Sequence, residues 1–438
     1  MVRKIFLVIA CLFLHMISAG MSLSFGVLYR EMRIEFGSSQ SEAAWIASIF
    51  NGLLGLLGIP LSFITNKIGE RWPAVCGSVL LSLGMLTSIF ATKMSNVYMT
   101  YGLLAGLGAG ISHYCGYTVL TPHFDNTWRP VAMTVAGAGI PLSALILPPV
   151  LTILIEQFDW RKAFMFLACL SFLGIPAGLS FFPPKLHIDS GSESSPGQQN
   201  SWKLSLSRCL KNLNYMLYFV TTCVVYLVAY APATLLPDLM HEFGRSSSEV
   251  YSCVMTMGAC DLVGRLLSGF LVHKIPSKLA LIHSAGIMVL CVSSGLIALS
   301  RSIGTFVIMS AFLGLGSGCF FGLHFVTSAQ LLPVVDVRFG YGLVLTFGGL
   351  SLVAGMPLAG FVSDHFKTER GAFIFSSILF FIGSLLELIT GIREVCGQKS
   401  RKSYAMESVE NTSYVTGEEF QVHSKKRDDV VVVDSSYI

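Results

Sequence analysis

Twelve apolar runs, each long enough to cross a lipid bilayer as a helix, most constrain how this chain can fold. A transmembrane helix needs about 20 mainly apolar residues to cross about 30 Å of hydrocarbon. Only 12% of the residues are charged, whereas soluble domains carry about 25%. The sequence therefore predicts an all-α membrane protein with twelve transmembrane helices. The runs lie near residues 5–29, 43–64, 73–91, 97–121, 130–156, 162–182, 215–237, 248–272, 279–299, 303–327, 341–363 and 371–392.

The runs form two sets of six, separated by one long polar stretch. Residues 62–68 align with residues 269–275, and the offset equals the spacing of six helices. Such an offset favours duplicated halves in parallel orientation, which is the arrangement of the major facilitator fold. We therefore predict two pseudo-symmetric six-helix halves with a polar connection and a polar end. The predicted units are an N-terminal half (1–182), a cytoplasmic linker (183–214), a C-terminal half (215–392) and a disordered cytoplasmic tail (393–438).

Lys and Arg residues are concentrated on one side of the predicted membrane. If both termini are inside, about two thirds of the 29 Lys and Arg residues lie at the inner surface, in agreement with the positive-inside rule. The first run lacks a small-residue cleavage site in a polar context, so we interpret it as a spanning helix rather than a signal peptide. These features predict a multi-pass plasma-membrane protein with both termini in the cytoplasm.

The sequence lacks the motifs that are typical of several classes of function. No glycine-rich phosphate loop follows a strand, and no nucleophile–base set or metal-ligand spacing is present. The 11 cysteines are scattered, without a disulfide framework or a CxxC pair. We therefore predict that the chain is not an enzyme and binds no cofactor, metal or nucleic acid.

The eighth run carries two opposite charges, Asp261 and Arg265. Each alone at the bilayer centre would cost about 2.5–3.5 kcal/mol. Because they are four residues apart, they share one helix face and lie within reach of an ion pair. The pair must face protein or a water-filled cavity, which makes it a functional candidate. The alternative is a structural ion pair that locks two helices together.

A second group of candidates lies at the predicted inner surface. The sequence Asn66-Lys67-Ile68-Gly69-Glu70-Arg71 resembles the major facilitator loop signature, with Asn66 in place of its acidic residue. We interpret Asn66, Lys67 and Arg71 as residues of a cytoplasmic gate and of topology, and Arg129 in the same way.

Five further features occur in a fixed order across residues 22–392. Together they resemble the monocarboxylate transporter family, the solute-carrier 16 type of the major facilitator superfamily. The resemblance implies transport of small organic anions, and two departures qualify it. The family's opening motif is missing, and Leu23 occupies the position of a lysine that takes part in proton and anion binding in the lactate carriers. The features are residues 24–31 with 41–46, 123–139, 159–161, the Asp261 to Arg265 spacing, and 338–340.

The resemblance also assigns roles to single residues. Phe320 and His324 occupy positions that set substrate size and selectivity in the family, although Phe320 could equally face lipid or the core. Arg265 is our first candidate for substrate contact, because a guanidinium keeps its proton and binds carboxylates with two parallel bonds. Asp261 would neutralise Arg265 in the empty site and is the candidate for proton coupling. Uptake by Asp261→Asn with unchanged pH dependence would remove that role.

The favoured function is therefore alternating-access transport of a small organic anion, with a monocarboxylate the first candidate and proton coupling left open. The alternatives are a facilitative carrier for aromatic or amino-acid-like substrates, a facilitator of another branch such as a sugar carrier, and a transport-inactive membrane sensor. Two protein partners also stay open. One is a single-pass accessory protein, and the other is a PDZ-type domain at Ser436, Tyr437 and Ile438.

Overall fold

The structure is a computed structural model that describes residues 2–38, 40–183 and 202–416, and these ranges contain no β-strand. The predicted all-α class is therefore confirmed. Two π-helical stretches, Met16–Gly20 and Tyr98–Ala105, continue directly from α1 and α6. The helices of the first half are α1 (Val2–His15), α2 (Phe25–Phe36), α3 (Gln40–Leu56), α4 (Gly58–Ile68), α5 (Arg71–Ser88), α6 (Met94–Val97), α7 (Gly106–Thr118), α8 (Arg129–Gly137), α9 (Gly139–Gln157), α10 (Trp160–Phe172) and α11 (Gly174–Leu179).

The second half begins after a short polar helix, α12 (Trp202–Lys211), which lies inside the predicted linker. The last helix runs to Thr416, although we expected disorder from residue 393. Residues 393–416 lack proline and are rich in Glu, Lys, Arg and Ser, so helix can continue beyond the apolar run; the rest of the tail lies outside the described residues. The other helices are α13 (Leu213–Tyr226), α14 (Ala231–Glu242), α15 (Ser247–Lys274), α16 (Leu279–Leu299), α17 (Ile303–Leu331), α18 (Val334–Phe366) and α19 (Arg370–Thr416).

The criteria of length and hydropathy identify fewer candidate membrane spans in the described ranges than the twelve predicted from the sequence. In the described ranges, nine spans satisfy both criteria, and ten do if Trp45–Leu56 and Gly58–Ile68, bent by 46°, form one span. The predicted run at 97–121 is largely helical, but its glycine and polar aromatic residues lower the mean hydropathy. The helix at the run 73–91 begins with Arg71 and ends at Ser88, so it includes a charge and leaves out the apolar Ile89 and Phe90. The count of twelve is thus not confirmed and stays a prediction.

Polar caps define where the second-half helices begin. Ser246 and Glu249 form a reciprocal capping box at the start of α15, and the Ser302 side chain accepts a bond from the Thr305 backbone at the start of α17. Such caps satisfy the free N–H groups of the first turn. They fix the register of the two helices that carry most of the candidate residues.

Glycines bring α15 and α17 into backbone contact. A Cβ added at Gly318 would lie 2.1 Å from the carbonyl oxygen of Asp261, and one at Gly264 would lie 2.4 Å from that of Leu315. Side chains would hold the helices apart, so small residues are required at this crossing. The crossing fixes Asp261 and Arg265 on the side of α15 that faces the bundle.

The two halves also meet through glycines near the middle of the bundle. A Cβ added at Gly55 would lie 2.5 Å from the Cα of Gly349, and one at Gly58 would lie 2.4 Å from the carbonyl oxygen of Gly342. The Ile59 amide donates to the Thr346 hydroxyl at 3.0 Å. The backbones of α3 and α4 therefore touch that of α18.

We call the end of the bundle at which α12 packs against the start of α18 the linker end. There, the Arg338 guanidinium donates to the carboxylate of Glu70 at 2.7 Å and to the Asn66 side chain at 3.4 Å. The Tyr114 hydroxyl donates to the Arg338 carbonyl oxygen at 2.8 Å. Among the described residues, hydrogen bonds thus join the two halves at the linker end, and none joins them at the opposite end.

The linker helix is fastened to the same place. The carboxylate of Asp336 is fully buried at the start of α18, where it accepts from Ser205 at 2.7 Å and pairs with Arg208 at 2.7 Å. Both partners belong to α12. The helix that precedes the second half is therefore bound to that half.

At the opposite end, Glu35 pairs with Arg161 at 2.8 Å and accepts from the indole N–H of Trp160. These bonds, those of Arg161 first, lower the pKa of Glu35 from about 4.5. The stabilisation is present above pH 4.5 and is lost as the pH falls through the lowered value. We expect the melting temperature of Glu35→Gln to be lower than that of the wild type at pH 6, with the gap closing below pH 4. A gap that widens in acid would contradict this assignment.

Candidate functional site

A central cavity of about 70 Å³ lies between the two halves, near the middle of the bundle. The first half contributes Asn51, His113 and Tyr117 to its wall, and the second half contributes Arg265 and His324. Aromatic rings of Tyr226, Tyr230, Phe321, Phe325 and Tyr341 complete most of the lining. No carboxylate of the described residues lines the cavity, whereas a guanidinium does. The charge of the cavity wall therefore favours an anion.

Of the two charged residues in the eighth apolar run, Arg265 lines the cavity and Asp261 does not. Its side chain is almost fully buried, and its Nε donates to Asp261 Oδ1 at 2.6 Å. Its Nη1 donates to the Gly137 carbonyl oxygen of the first half at 3.4 Å. A guanidinium has five N–H donors, so these bonds leave others for a ligand.

Asp261 lies behind Arg265 and is not part of the cavity wall. Its second oxygen, Oδ2, accepts from the Ser317 hydroxyl of α17 at 3.0 Å. Phe321 lies on the other side, with its ring centre 5.5 Å from the guanidinium carbon of Arg265. The carboxylate and the ring together fix the orientation of the guanidinium, so Asp261 acts as a positioning residue in this geometry.

His324 is placed in the cavity wall, as its assignment to the site requires. Its Nδ1 is bonded to the Tyr218 hydroxyl at 2.9 Å, and its buried Nε2 has no protein partner. The buried Nδ1 of His113, which also lines the cavity, likewise has no protein partner. Two imidazoles thus line the site, one from each half, and each has one buried ring nitrogen without a protein partner.

Phe320 does not line the cavity, and Phe321 takes the expected place. The Phe320 ring is fully buried and stacks on His283 with ring centres 5.2 Å apart. Phe320 and Phe321 precede His324 by four and three residues, so both lie near its helix face. Spacing alone could not show which of the two lines the cavity. The rotation of α17 about its axis turns Phe321, and not Phe320, toward it.

The structure places beside Arg265 a cluster of residues that is not among the site candidates selected from the sequence. His15 lies behind the cavity, with its ring centre 4.0 Å from that of Tyr117 and 5.1 Å from that of His113. Its Nδ1 is bonded to the Cys11 carbonyl oxygen at 2.7 Å. The available signal was the i, i+4 spacing of His113 and Tyr117, which places both on one face of α7.

The predicted gate residues fall into two groups. Asn66 contacts Arg338 of the other half, whereas Lys67 and Arg71 are exposed at the linker end without a described contact to that half. Arg129 is buried, donates to the Phe124 carbonyl oxygen at 3.2 Å, and lines a separate cavity of about 170 Å³. The strongest contact between the halves, Glu70 with Arg338, was not identified as a pair from the sequence.

Comparisons with known proteins agree with this architecture. The family model described as Major Facilitator Superfamily matches residues 8–294 and 218–395. Monocarboxylate transporter 3 of Rattus norvegicus is 26% identical over 387 residues, which is 87% of this chain and 77% of that protein. Monocarboxylate transporter 13 of the same species is 25% identical over 379 residues, 86% of each chain. The structure of the E. coli fucose:proton symporter FucP matches with a TM-score of 0.71 at 14% identity, covering 89% of this chain and 98% of that one.

Proposed function

The chain belongs to the Major Facilitator Superfamily, and from that premise we propose that it moves a small organic anion, first of all a monocarboxylate, by alternating access. The resemblance to monocarboxylate transporters is confirmed by curated relatives of that name at about 25% identity over most of the chain. These relatives and the structural neighbours are transporters and not enzymes. The proposal concerns the identity of the cargo.

The observation that carries the proposal is the buried guanidinium of Arg265 at the wall of a cavity between the halves. A carboxylate that enters the cavity can accept two parallel N–H bonds, and each bond to a charged group is worth about 1.5–3 kcal/mol. The imidazoles of His113 and His324 line the same cavity and are the candidates for a second polar contact with the cargo. Because the two halves supply different contacts, cargo binding would draw them together.

The direct test is uptake into proteoliposomes. We expect labelled monocarboxylates to exchange across the membrane, with competition by other short carboxylates and none by hexoses. The matched control is the uncharged amide of each acid, which has the same shape without the charge. Exchange that hexoses inhibit and carboxylates do not would overturn the proposal.

A second candidate is a facilitative carrier for aromatic or amino-acid-like substrates without proton coupling. Two observations favour it: four tyrosines line the cavity, and Leu23 replaces the lysine of the lactate carriers. Uptake of aromatic amino acids that ignores an imposed pH gradient would establish this candidate. A sensor without transport would bind carboxylates and show no exchange.

Exchange of the two charges of the Glu70–Arg338 ion pair should test its role as a gate. Because the pair joins the halves at the linker end, Arg338→Glu places two carboxylates together and should disfavour closure there. We expect initial uptake to fall about tenfold, which corresponds to about 1.4 kcal/mol, and to recover in the double variant Glu70→Arg/Arg338→Glu. Arg393→Glu changes an exposed arginine of the same half as Arg338 that bonds to the Asn214 side chain; it is the matched control and should stay near the wild type. Failure of the double variant to recover would remove the pair from the gate.

We also propose a plasma-membrane location with cytoplasmic termini, so that the linker end faces the cytosol. The proposal rests on the distribution of Lys and Arg residues. Accessory and PDZ-type partners belong to the same proposal; Ser436, Tyr437 and Ile438 lie outside the described residues. Pull-down of a PDZ domain by the full chain, and its loss after Ile438→Ala, would test that contact.

A further inference from the structure

A second buried ionisable pair lies outside the cavity, between α16 and α19. His283 Nδ1 is 3.0 Å from Glu387 Oε1, and both side chains are fully buried. The other two polar atoms, His283 Nε2 and Glu387 Oε2, are buried without a protein partner. A buried carboxylate is costly unless it is paired or protonated. The short distance and the complete burial therefore favour a pair that shares a proton.

We propose that the His283–Glu387 pair is a proton-binding site of this transporter, separate from the carboxylate cavity. The inference rests on the proposed function, which supplies the cargo to which the proton is coupled. One proton taken from water makes the pair neutral, either as imidazolium with carboxylate or as imidazole with carboxylic acid. Release to the other side returns neutral imidazole and an anionic carboxylate, so the step consumes no other reactant.

The position of the pair explains why release would require a conformational change. Loss of the proton leaves an unpaired carboxylate among apolar side chains, which water must stabilise. In the described part of the chain both side chains are fully buried among α13, α16, α17 and α19, so we expect water to reach the pair only when this packing opens. The free atoms Nε2 and Oε2 are the points at which water would first bond when the packing opens.

The titratable neighbours of the pair come from three helices. From α13, the Tyr218 ring centre lies 6.2 Å from that of His283, and Tyr218 also interacts with Glu387. From α17, His324 interacts electrostatically with His283. From α19 itself, Glu394 interacts with Glu387 and lies seven residues further along the helix. Among the described residues, α18 adds no titratable group with a recorded interaction with the pair.

These neighbours connect the pair to the cavity. The Phe320 ring stacks on His283 at an interplanar angle of 5°. Tyr218 lies beside His283 and is bonded to His324, whose ring lines the cavity. A change in the pair's charge or hydration therefore acts on the same short segment of α17 that presents His324 and Phe321 to the cargo. We expect a proton that leaves the pair toward the linker end to pass Glu394, which follows Glu387 on the same helix.

The experiment measures protons and carboxylate together in proteoliposomes that contain the wild-type protein and a pH dye in the lumen. We expect about one proton to enter with each carboxylate, and a pH step to drive accumulation. Glu387→Gln should keep carboxylate exchange at equal pH within about twofold of the wild type, and should lose pH-driven accumulation at least tenfold. His283→Gln is the second variant and should behave in the same way. Ser284→Ala, on the same helix and in the buried bond to Ser384, is the matched control and should retain both activities.

The outcomes separate this inference from the function on which it rests. Net carboxylate uptake by the wild type without proton entry, measured against liposomes that lack the protein, overturns the proton site and leaves the carboxylate carrier intact. Proton entry that survives in both variants also overturns it. Loss of coupling in Asp261→Asn with coupling retained in Glu387→Gln would move the proton to Asp261. Absence of any carboxylate exchange by the wild type overturns the proposed function and this inference with it.

Discussion

Replacement of Arg265 by glutamine is expected to lower carboxylate exchange by at least about 100-fold. The substitution removes the cation that would bind the cargo, and charge-assisted bonds of this kind are worth about 1.5–3 kcal/mol each. It also leaves the carboxylate of Asp261 without its ion partner inside the bundle, at a cost of about 3–5 kcal/mol. The measurement is the initial exchange rate per molecule of folded transporter in proteoliposomes, together with the melting temperature in detergent.

Two further variants distinguish substrate binding from a structural ion pair. The double variant Asp261→Asn/Arg265→Gln removes both charges, so it should recover stability but not exchange. Arg393→Gln removes an exposed arginine of the same half that bonds only to the Asn214 side chain in the described structure, and it should behave as the wild type. Full exchange by the double variant would show that the pair merely locks α15 in place.

Gly318→Ala is expected to unfold or displace the crossing of α15 and α17. The new methyl group would lie 2.1 Å from the Asp261 carbonyl oxygen and 2.8 Å from the Arg265 amide nitrogen. Both are backbone atoms, so no side chain can rotate away. Overpacking commonly costs about 1–3 kcal/mol, and the short distances place this variant at or above the upper limit. The measurement is thermal unfolding of the purified protein.

The control for Gly318→Ala is Gly360→Ala. Gly360 lies inside α18, and a Cβ there would meet nothing within 4 Å. Alanine favours helix over glycine by up to about 1 kcal/mol, so we expect unchanged or slightly higher stability. Equal melting temperatures for the two variants would contradict the tight crossing.

The features that the sequence predicted best are those with a strong local signal. In lipid every backbone N–H and C=O group must be bonded within the protein. Long apolar runs therefore predict helices, and from them the all-α class. The cost of a charge in lipid likewise pointed to Arg265 before any contact was known. The span count was less secure, because small and polar residues in α5 and α7 weaken the hydropathy on which the count depends.

Contacts between distant segments could not be predicted in the same way. His283 and Glu387 are 104 residues apart and join across two helices, so neither is conspicuous within its own run. Glu70 and Arg338 are 268 residues apart. The choice between Phe320 and Phe321 depended on the rotation of α17, which is set by glycine contacts with α15 and not by the spacing of the phenylalanines.

The glycine contact between α3 and α18 has a mechanical consequence. At Gly55 and Gly349 the two main chains meet without side chains that could interlock, so little steric resistance opposes rotation of one half against the other at this point. A contact of this kind, near the middle of both helices, would serve as a pivot. If the halves rock about it, we expect their separation at one end of the bundle to be accompanied by their approach at the other.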